Sequence, residues 1–145
     1  MHRRSGLRLT SAQLHSFLPM KPFVRKLLSR RLWRTLLVLL WMVVSYLALT
    51  PSPKQGPDLG WDKLNHTFAF VALAFAAWLG FAQAQRSQRL WMLVLLAYGG
   101  GIEILQLYVP GRSCEWGDLL ADTVGITLGA SLGIFITKSA SSPRQ

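Results

Sequence analysis

The sequence is poor in cysteine and in acidic residues, and each shortage excludes a class of protein. Cys114 is the only cysteine among the 145 residues. It has no partner for an internal disulfide, and a metal site built from cysteines is excluded. Six acidic residues stand against sixteen lysines and arginines, so the formal net charge is +10. No basic strip with interleaved aromatic residues accompanies this charge, so no nucleic-acid partner is predicted.

Long hydrophobic runs dominate the rest of the chain. Hydrophobic residues make up 51% of the sequence, and its mean hydropathy is +0.31. Four apolar runs cover residues 32–50, 64–84, 90–109 and 119–137. Each is close to the roughly 20 residues that a helix needs to cross the hydrocarbon core. A buried helix of a soluble protein would explain any one run. Four in succession, separated by short polar loops, predict an all-α polytopic membrane protein with four transmembrane helices in one bundle.

The basic residues are distributed unevenly between the loops. Nine fall from Arg3 to Arg34, up to the start of the first run, two lie between the second and third runs, and two follow the fourth. The remaining three are Lys54, Lys63 and Arg112. Because cytoplasmic loops carry an excess of Lys and Arg, we predict that both termini are cytoplasmic. The loop that contains Cys114 is then on the outer side.

The chain has room for one domain. We predict a basic cytoplasmic leader, partly disordered, over residues 1–31, the four-helix membrane domain over residues 32–137, and a cytoplasmic tail over residues 138–145. The first 19 residues are polar and lack a sustained period, whereas Met20 begins a stretch more typical of such a protein. Translation from either Met1 or Met20 stays open.

Several residues predict how the helices begin and pack. Asp62 and Asp118 are expected as N-caps of the second and fourth spans, where a carboxylate also suits the helix dipole. The run 99–101, three glycines, predicts a close contact or a kink in the third span. In the fourth span, small residues recur every fourth position and would let another helix approach closely. They are Ala121, Gly125, Gly129 and Gly133. Packing within the chain is the favoured use, and a homo-oligomer through the three glycines is the alternative.

Polar residues concentrate at the predicted outer ends of the last three spans. Within each span they are three or four positions apart and so share a helix face. Glu103 is the most informative, because it lies about 9 Å inside the predicted helix end, where an ionisable group needs a partner or a wet cavity. A structural role, as caps or as hydrogen bonds between helices, is the alternative to a binding site. The candidate ligand-binding residues are Asp62, Lys63, His66, Glu103, Gln106, Arg112, Asp118 and Asp122.

Two strings, DKLNHTFAF and GIEILQLYVPGRSCEWGDLLADTVGITLGASLG, resemble the VanZ-like family of bacterial membrane proteins. The resemblance covers roughly residues 50–135. Asp122 departs from the pattern, in which Asn is expected. The resemblance implies a multi-pass protein of the bacterial inner membrane and a role in the cell envelope, and the founding member is associated with low-level resistance to the glycopeptide teicoplanin. The matching positions are Asp62, Lys63, His66, Glu103, Gln106, Arg112, Asp118, Gly125 and Gly129.

Three functions are compatible with these residues. The leading hypothesis is a site facing the outer leaflet that binds an anionic or lipid-linked envelope component, with Lys63 and Arg112 contacting phosphate. The alternative is a membrane-embedded acid–base enzyme acting on a lipid phosphoester or acyl group, with His66 and Glu103 as catalytic candidates and either Asp62 or Glu103 as the acid paired with His66. A structural or accessory bundle is the third. A metal held by the carboxylates and His66 has no diagnostic spacing, so neither a metal nor another cofactor is predicted.

Overall fold

The computed structural model describes residues 29–51, 61–81 and 85–141. Over these residues the chain is all-helical, as predicted. The four helices are α1 (Arg30–Leu49), α2 (Trp61–Phe81), α3 (Gln85–Gln106) and α4 (Trp116–Ser141). The predictions for residues 1–28, for the loop 52–60, for residues 82–84 and for the end of the tail, 142–145, lie outside the described residues.

Three of the four helices, α1, α2 and α4, are long and apolar enough to cross a membrane. Their outer faces keep large apolar side chains exposed, as Met42 of α1 and Phe135 of α4 illustrate. Contiguous apolar surface of this kind is rare on soluble monomers and is typical of a membrane protein. The four predicted helices are found, and three of them are candidate membrane spans by length and composition. In α3 the uncharged run between Arg89 and Glu103 is about 20 Å long, shorter than a hydrocarbon core of about 30 Å.

The core forms around α2, which contacts all three other helices and packs most extensively against α4. Alanines are frequent on the buried faces of α2, and their small side chains let its neighbours approach closely. Each of the other helices contributes one buried apolar residue to this core. The core residues are Leu37, Phe70, Leu73, Ala74, Ala76, Ala77, Leu95 and Ile126.

The glycine stripe of α4 lies against α2. A Cβ placed on Gly125 would come within 2.5 Å of the Thr67 carbonyl oxygen, and one on Gly129 would collide with the Val71 carbonyl oxygen. Gly133 meets the Trp78 ring in the same way. The stripe therefore packs within the chain. A contact between two copies through these glycines would need a helix face that α2 already covers.

The middle of α3 shows why one of its three glycines is required. A Cβ on Gly99 would collide with the Asp122 carboxylate of α4, whereas Gly100 and Gly101 have nothing within 4 Å of such an atom. The helix is continuous through all three residues. Of the two predicted consequences, the close contact is found, and it is confined to Gly99.

Two predicted N-caps lie inside the helices instead. Because α2 and α4 begin at Trp61 and Trp116, Asp62 and Asp118 fall in the first turn of each helix. A carboxylate in the first turn still interacts favourably with the positive end of the helix dipole. The predicted cap role is wrong, and the predicted dipole interaction remains.

The helix α3 ends earlier than predicted. It ends at Gln106, and residues 107–109 continue as a turn that backbone hydrogen bonds from Leu107, Tyr108 and Val109 close. Pro110 follows, and a residue before proline avoids helical geometry. Glu103 therefore lies in the last turn of α3, nearer the helix end than the predicted 9 Å.

Candidate functional site

One end of the bundle collects five of the chain's six acidic residues, and the sixth, Asp58, lies outside the described residues. The ends of α1 and α3 meet the beginnings of α2 and α4 there, together with the loop between α3 and α4. Four of the polar side chains are at most 4% exposed: Glu103, Gln106, Asp118 and Asp122. We call the following residues the polar cluster: Asp62, Lys63, His66, Glu103, Gln106, Arg112, Glu115, Asp118 and Asp122.

His66 of α2 pairs with Asp122 of α4. The imidazole Nδ1 lies 2.9 Å from Asp122 Oδ1, and the Asp122 side chain is fully buried. A carboxylate can only accept a hydrogen bond, so Nδ1 carries the proton and donates it. This arrangement orients the ring and leaves Nε2 as the nitrogen with a lone pair. The sequence predicted Asp62 or Glu103 as the acid beside His66, and that pairing is wrong.

Lys63 joins the first turn of α2 to the beginning of α4. Its Nζ donates to Glu115 Oε2 at 3.0 Å and lies 3.8 Å from Asp118 Oδ1. The Lys63 side chain is 42% exposed, whereas that of Asp118 is 3% exposed. The ammonium group therefore lies at the rim of the cluster, between an exposed and a buried carboxylate.

Glu103 accepts a hydrogen bond from the backbone amide of Glu115 to its Oε2, at 2.9 Å. This contact ties the end of α3 to the residue that precedes α4. Arg112 is not the ion-pair partner of Glu103, because the nearest described carboxylate to Arg112 is Asp62 at 3.8 Å.

Arg112 and Gln106 instead bind the carbonyl oxygens at the end of α1. Arg112 donates from Nη2 to Leu47 at 2.9 Å and from Nε to Thr50 at 3.3 Å. Gln106 donates from Nε2 to Ala48 at 3.1 Å. The last carbonyls of a helix have no partner within the helix, and these side chains supply one. Both residues therefore have a structural task, whatever else they do.

Three buried carboxylates each keep one oxygen without a hydrogen-bond partner among the described residues. These atoms are Glu103 Oε1, Asp118 Oδ1 and Asp122 Oδ2. A buried carboxylate oxygen without a donor is costly, because its hydration is lost and nothing replaces it. A network that served only to hold helices together would be expected to satisfy these atoms.

A possible ligand set for a cation is present at the same place. Asp62, His66 and Asp118 each offer one ligand atom, and these three atoms all lie within 4.8 Å of one another. Asp62 and His66 share a face of α2 because they are four residues apart. Asp118 joins them from the first turn of α4.

Sequence reasoning left Glu115 out of the candidate residues. It is exposed and lies in the loop, yet it contacts Lys63 through its carboxylate and Glu103 through its backbone amide. Its position a few residues before the apolar run 119–137, beside Asp118, was the available signal. The 52 residues that separate it from Lys63 hid the contact.

Cys114 lies beside the cluster and is exposed. Partial desolvation by neighbouring protein atoms, followed by the negative charge of Glu103, raises the pKa of the Cys114 thiol. The thiol is therefore protonated at neutral pH and is a weak nucleophile, since the thiolate is the reactive form.

An open cavity of about 510 Å³ lies near the opposite end of α3. Its lining residues are Arg86, Arg89, Leu90 and Leu93. None of them belongs to the polar cluster, so this cavity and the cluster are separate features.

A family model described as VanZ/LLP1 matches residues 8–137, which is most of the chain. The match confirms the family resemblance that the two strings indicated. No curated protein and no solved structure matches the chain.

Proposed function

The chain belongs to the VanZ/LLP1 family, and from this premise we propose that its polar cluster binds a phosphate-bearing, lipid-linked component of the cell envelope. The observation that carries the proposal is the position of Lys63. Its ammonium group lies at the exposed rim, directly above buried carboxylates that the fold keeps incompletely paired. Ionisable groups buried inside a membrane-spanning bundle are costly and are typically retained for function.

Lys63 is the principal phosphate contact in this proposal. Glu115 holds its ammonium group at 3.0 Å, which restricts the flexible side chain before a ligand arrives. Arg112 has a smaller part than Lys63, because its Nε and Nη2 already donate to carbonyl oxygens at the end of α1. Only the Nη1 side, near Asp62, remains for a ligand.

We further propose that the cluster faces the outer side of the bacterial inner membrane and that both termini are cytoplasmic. Arg86 and Arg89 at the start of α3 and Lys138 in the last turn of α4 support this orientation, because they lie at the helix ends away from the cluster. In this arrangement α3 crosses the membrane with the other helices. Its buried Glu103 is shielded from lipid by α4 and the loop before it.

A membrane-embedded acid–base enzyme is the second candidate, and the His66–Asp122 pair favours it. A carboxylate that orients an imidazole through Nδ1 leaves Nε2 able to accept a proton from water or from a substrate hydroxyl. The substrate class would be a lipid phosphoester. Glu103, the other catalytic candidate, is occupied at Oε2 by the Glu115 amide and keeps Oε1 for such a role.

The binding proposal is tested with a polyprenyl phosphate and the matching polyprenol, added to the full-length protein in nanodiscs. We expect binding of the phosphate and little binding of the alcohol. Lys63→Met should weaken phosphate binding about 10- to 100-fold, the value of one charge-assisted contact of about 1.5–3 kcal/mol. Lys138→Met removes a cation from the other end of α4 and should leave the affinity unchanged.

Equal binding of alcohol and phosphate, or equal losses in the two lysine variants, would overturn the proposal. Release of phosphate from the bound lipid, abolished by His66→Gln, would favour the enzyme instead. A cellular readout follows from the family resemblance: expression should raise tolerance to teicoplanin, and Lys63→Met should reduce it. Binding of neither lipid would favour the structural or accessory role.

A further inference from the structure

The geometry points to a divalent-cation site at the polar cluster, with Asp62, His66 and Asp118 as ligands. Their three ligand atoms already lie within 4.8 Å of one another. A cation bound at about 2.1 Å to each ligand separates neighbouring ligands by about 3–4 Å. Shifts of about an ångström in the side chains would complete the set. Three protein ligands leave the remaining positions open for water or for a ligand oxygen.

The burial of Asp118 is a second observation that supports the site. Its side chain is 3% exposed, and its Oδ1 has no hydrogen-bond partner among the described residues. The Lys63 ammonium forms an ion pair with this oxygen at 3.8 Å, which is beyond hydrogen-bond distance. A metal ion would bind this oxygen directly and offset the cost of burying it without a hydrogen bond.

His66 is oriented as metal-binding histidines usually are. Its Nδ1 donates to Asp122 at 2.9 Å, so Nε2 is left to coordinate an ion. A histidine ligand almost always donates its other N–H to a carboxylate or a carbonyl, which fixes the ring and increases the basicity of the coordinating nitrogen. Asp122, which is fully buried, would be the carboxylate in this role.

The charge of the cluster also calls for a cation. Five acidic side chains share the cluster with Lys63 and Arg112, and ionised carboxylates oppose the binding of a phosphate. A doubly charged ion between Asp62 and Asp118 would reverse that balance and present its open positions to the phosphate. The cation's role therefore rests on the proposed function, whereas its binding does not.

The ligand types favour Zn²⁺ or Mn²⁺ over Mg²⁺ or Ca²⁺. Imidazole suits the transition metals, and the carboxylates suit either group. Ca²⁺ takes six to eight oxygen ligands, and Mg²⁺ keeps most of its water. A set of two carboxylates and one imidazole matches an ion of intermediate hardness.

The test is calorimetric titration of the full-length protein in detergent with the chloride of each metal alone, without lipid. We expect one saturable site for Zn²⁺ or Mn²⁺ and weaker binding of Mg²⁺ and Ca²⁺. Asp62→Asn should lower the metal affinity by at least about tenfold, and so should His66→Gln. Even the loss of a group that only hydrogen-bonds to a metal ligand lowers metal affinity about 10- to 100-fold. Asp62 is 44% exposed at its side chain, so folding is not expected to depend on its charge.

One matched control separates this site from adventitious binding. The double substitution His2→Gln and His15→Gln removes the chain's other histidines and should have no effect on metal affinity. Loss of binding in the double substitution would place the metal on the leader and overturn the inference. So would the absence of saturable binding in the unaltered protein, unchanged affinity in Asp62→Asn or His66→Gln, or a preference for Mg²⁺ or Ca²⁺.

Lys63→Met distinguishes the two proposals. It removes a positive charge 3.8 Å from a proposed metal ligand, so metal affinity should stay the same or increase, whereas affinity for the phosphate lipid should fall. Metal binding without phosphate binding would support the cation site and refute the proposed function. Phosphate binding without metal binding would support the proposed function and refute the cation site.

Discussion

Gly129 lies where α4 passes closest to α2, and Gly129→Ala tests that packing directly. The added Cβ would collide with the Val71 carbonyl oxygen and would come within 3.0 Å of the Ala74 Cβ and 3.1 Å of the Phe75 nitrogen. Two of these three neighbours are backbone atoms of α2, which cannot rotate aside as a flexible side chain can. The two helices must therefore separate, and the contact between them weakens along its length.

The size of the effect follows from two opposing contributions. Overpacking a tight contact costs about 1–3 kcal/mol, while alanine stabilises a helix interior by about 0.5–1 kcal/mol over glycine. Gly100→Ala is the matched control, because it has the same helix gain and nothing within 4 Å of the new Cβ. The difference between the two variants isolates the overpacking cost, so Gly129→Ala should be about 1–3 kcal/mol less stable than Gly100→Ala.

The measurement is reversible unfolding of both variants in mixed micelles, followed by circular dichroism as the fraction of denaturing detergent rises. We expect the midpoint of Gly129→Ala to fall below that of the unaltered protein and that of Gly100→Ala to equal or exceed it. Equal stabilities of the two variants would show that α4 does not meet α2 through this glycine. Packing of the glycine stripe of α4 against α2 would then be refuted.

Three further outcomes are expected. Glu103→Gln and Arg112→Ala should be additive in their effects on the free energy of unfolding to within about 0.5 kcal/mol, because the two residues share no hydrogen-bond partner among the described residues. A double variant that loses less free energy of unfolding than the sum of the two single variants would reveal a direct pair. Labelling of Cys114 by a membrane-impermeant maleimide should occur from the outer side. Its rate should be low at neutral pH and rise with pH through a midpoint above that of an ordinary thiol, because the pKa of this thiol is raised. A rate that is already maximal at neutral pH would contradict this. A reporter fused after Arg144 should be cytoplasmic, and an external reporter would refute the proposed topology.

The local properties of the chain were enough to predict the helices and the family. A run of apolar residues needs the same conformation whatever its neighbours are, because its backbone must satisfy its own hydrogen bonds in lipid. Boundaries were less accurate. The apolar run of α2 was predicted to begin at residue 64, whereas the helix begins at Trp61. Hydropathy does not register that Trp61 and Asp62 suit the first turn of a helix.

The grouping of polar residues at one end was also readable from sequence. Consecutive helices alternate in direction, so polar residues at the end of α3 and the start of α4 must meet at the same end of the bundle, joined by a short loop. Spacings of three and four then place Asp62 with His66, and Asp118 with Asp122, on single faces. The length and order of the helices determine this much without any knowledge of packing.

Which residues pair was decided by the tertiary structure alone. His66 binds Asp122 and not Asp62, and Arg112 lies beside Asp62 and the carbonyls of α1 and not beside Glu103. These choices depend on how far each helix is rotated about its axis and shifted along it. Between α2 and α4, the close contact of Gly125 and Gly129 with the backbone of α2 sets that register. Sequence periodicity describes one helix at a time, so it leaves the rotation of one helix relative to the next undetermined. Rotating a helix about its axis by one residue position replaces every side-chain partner across the interface.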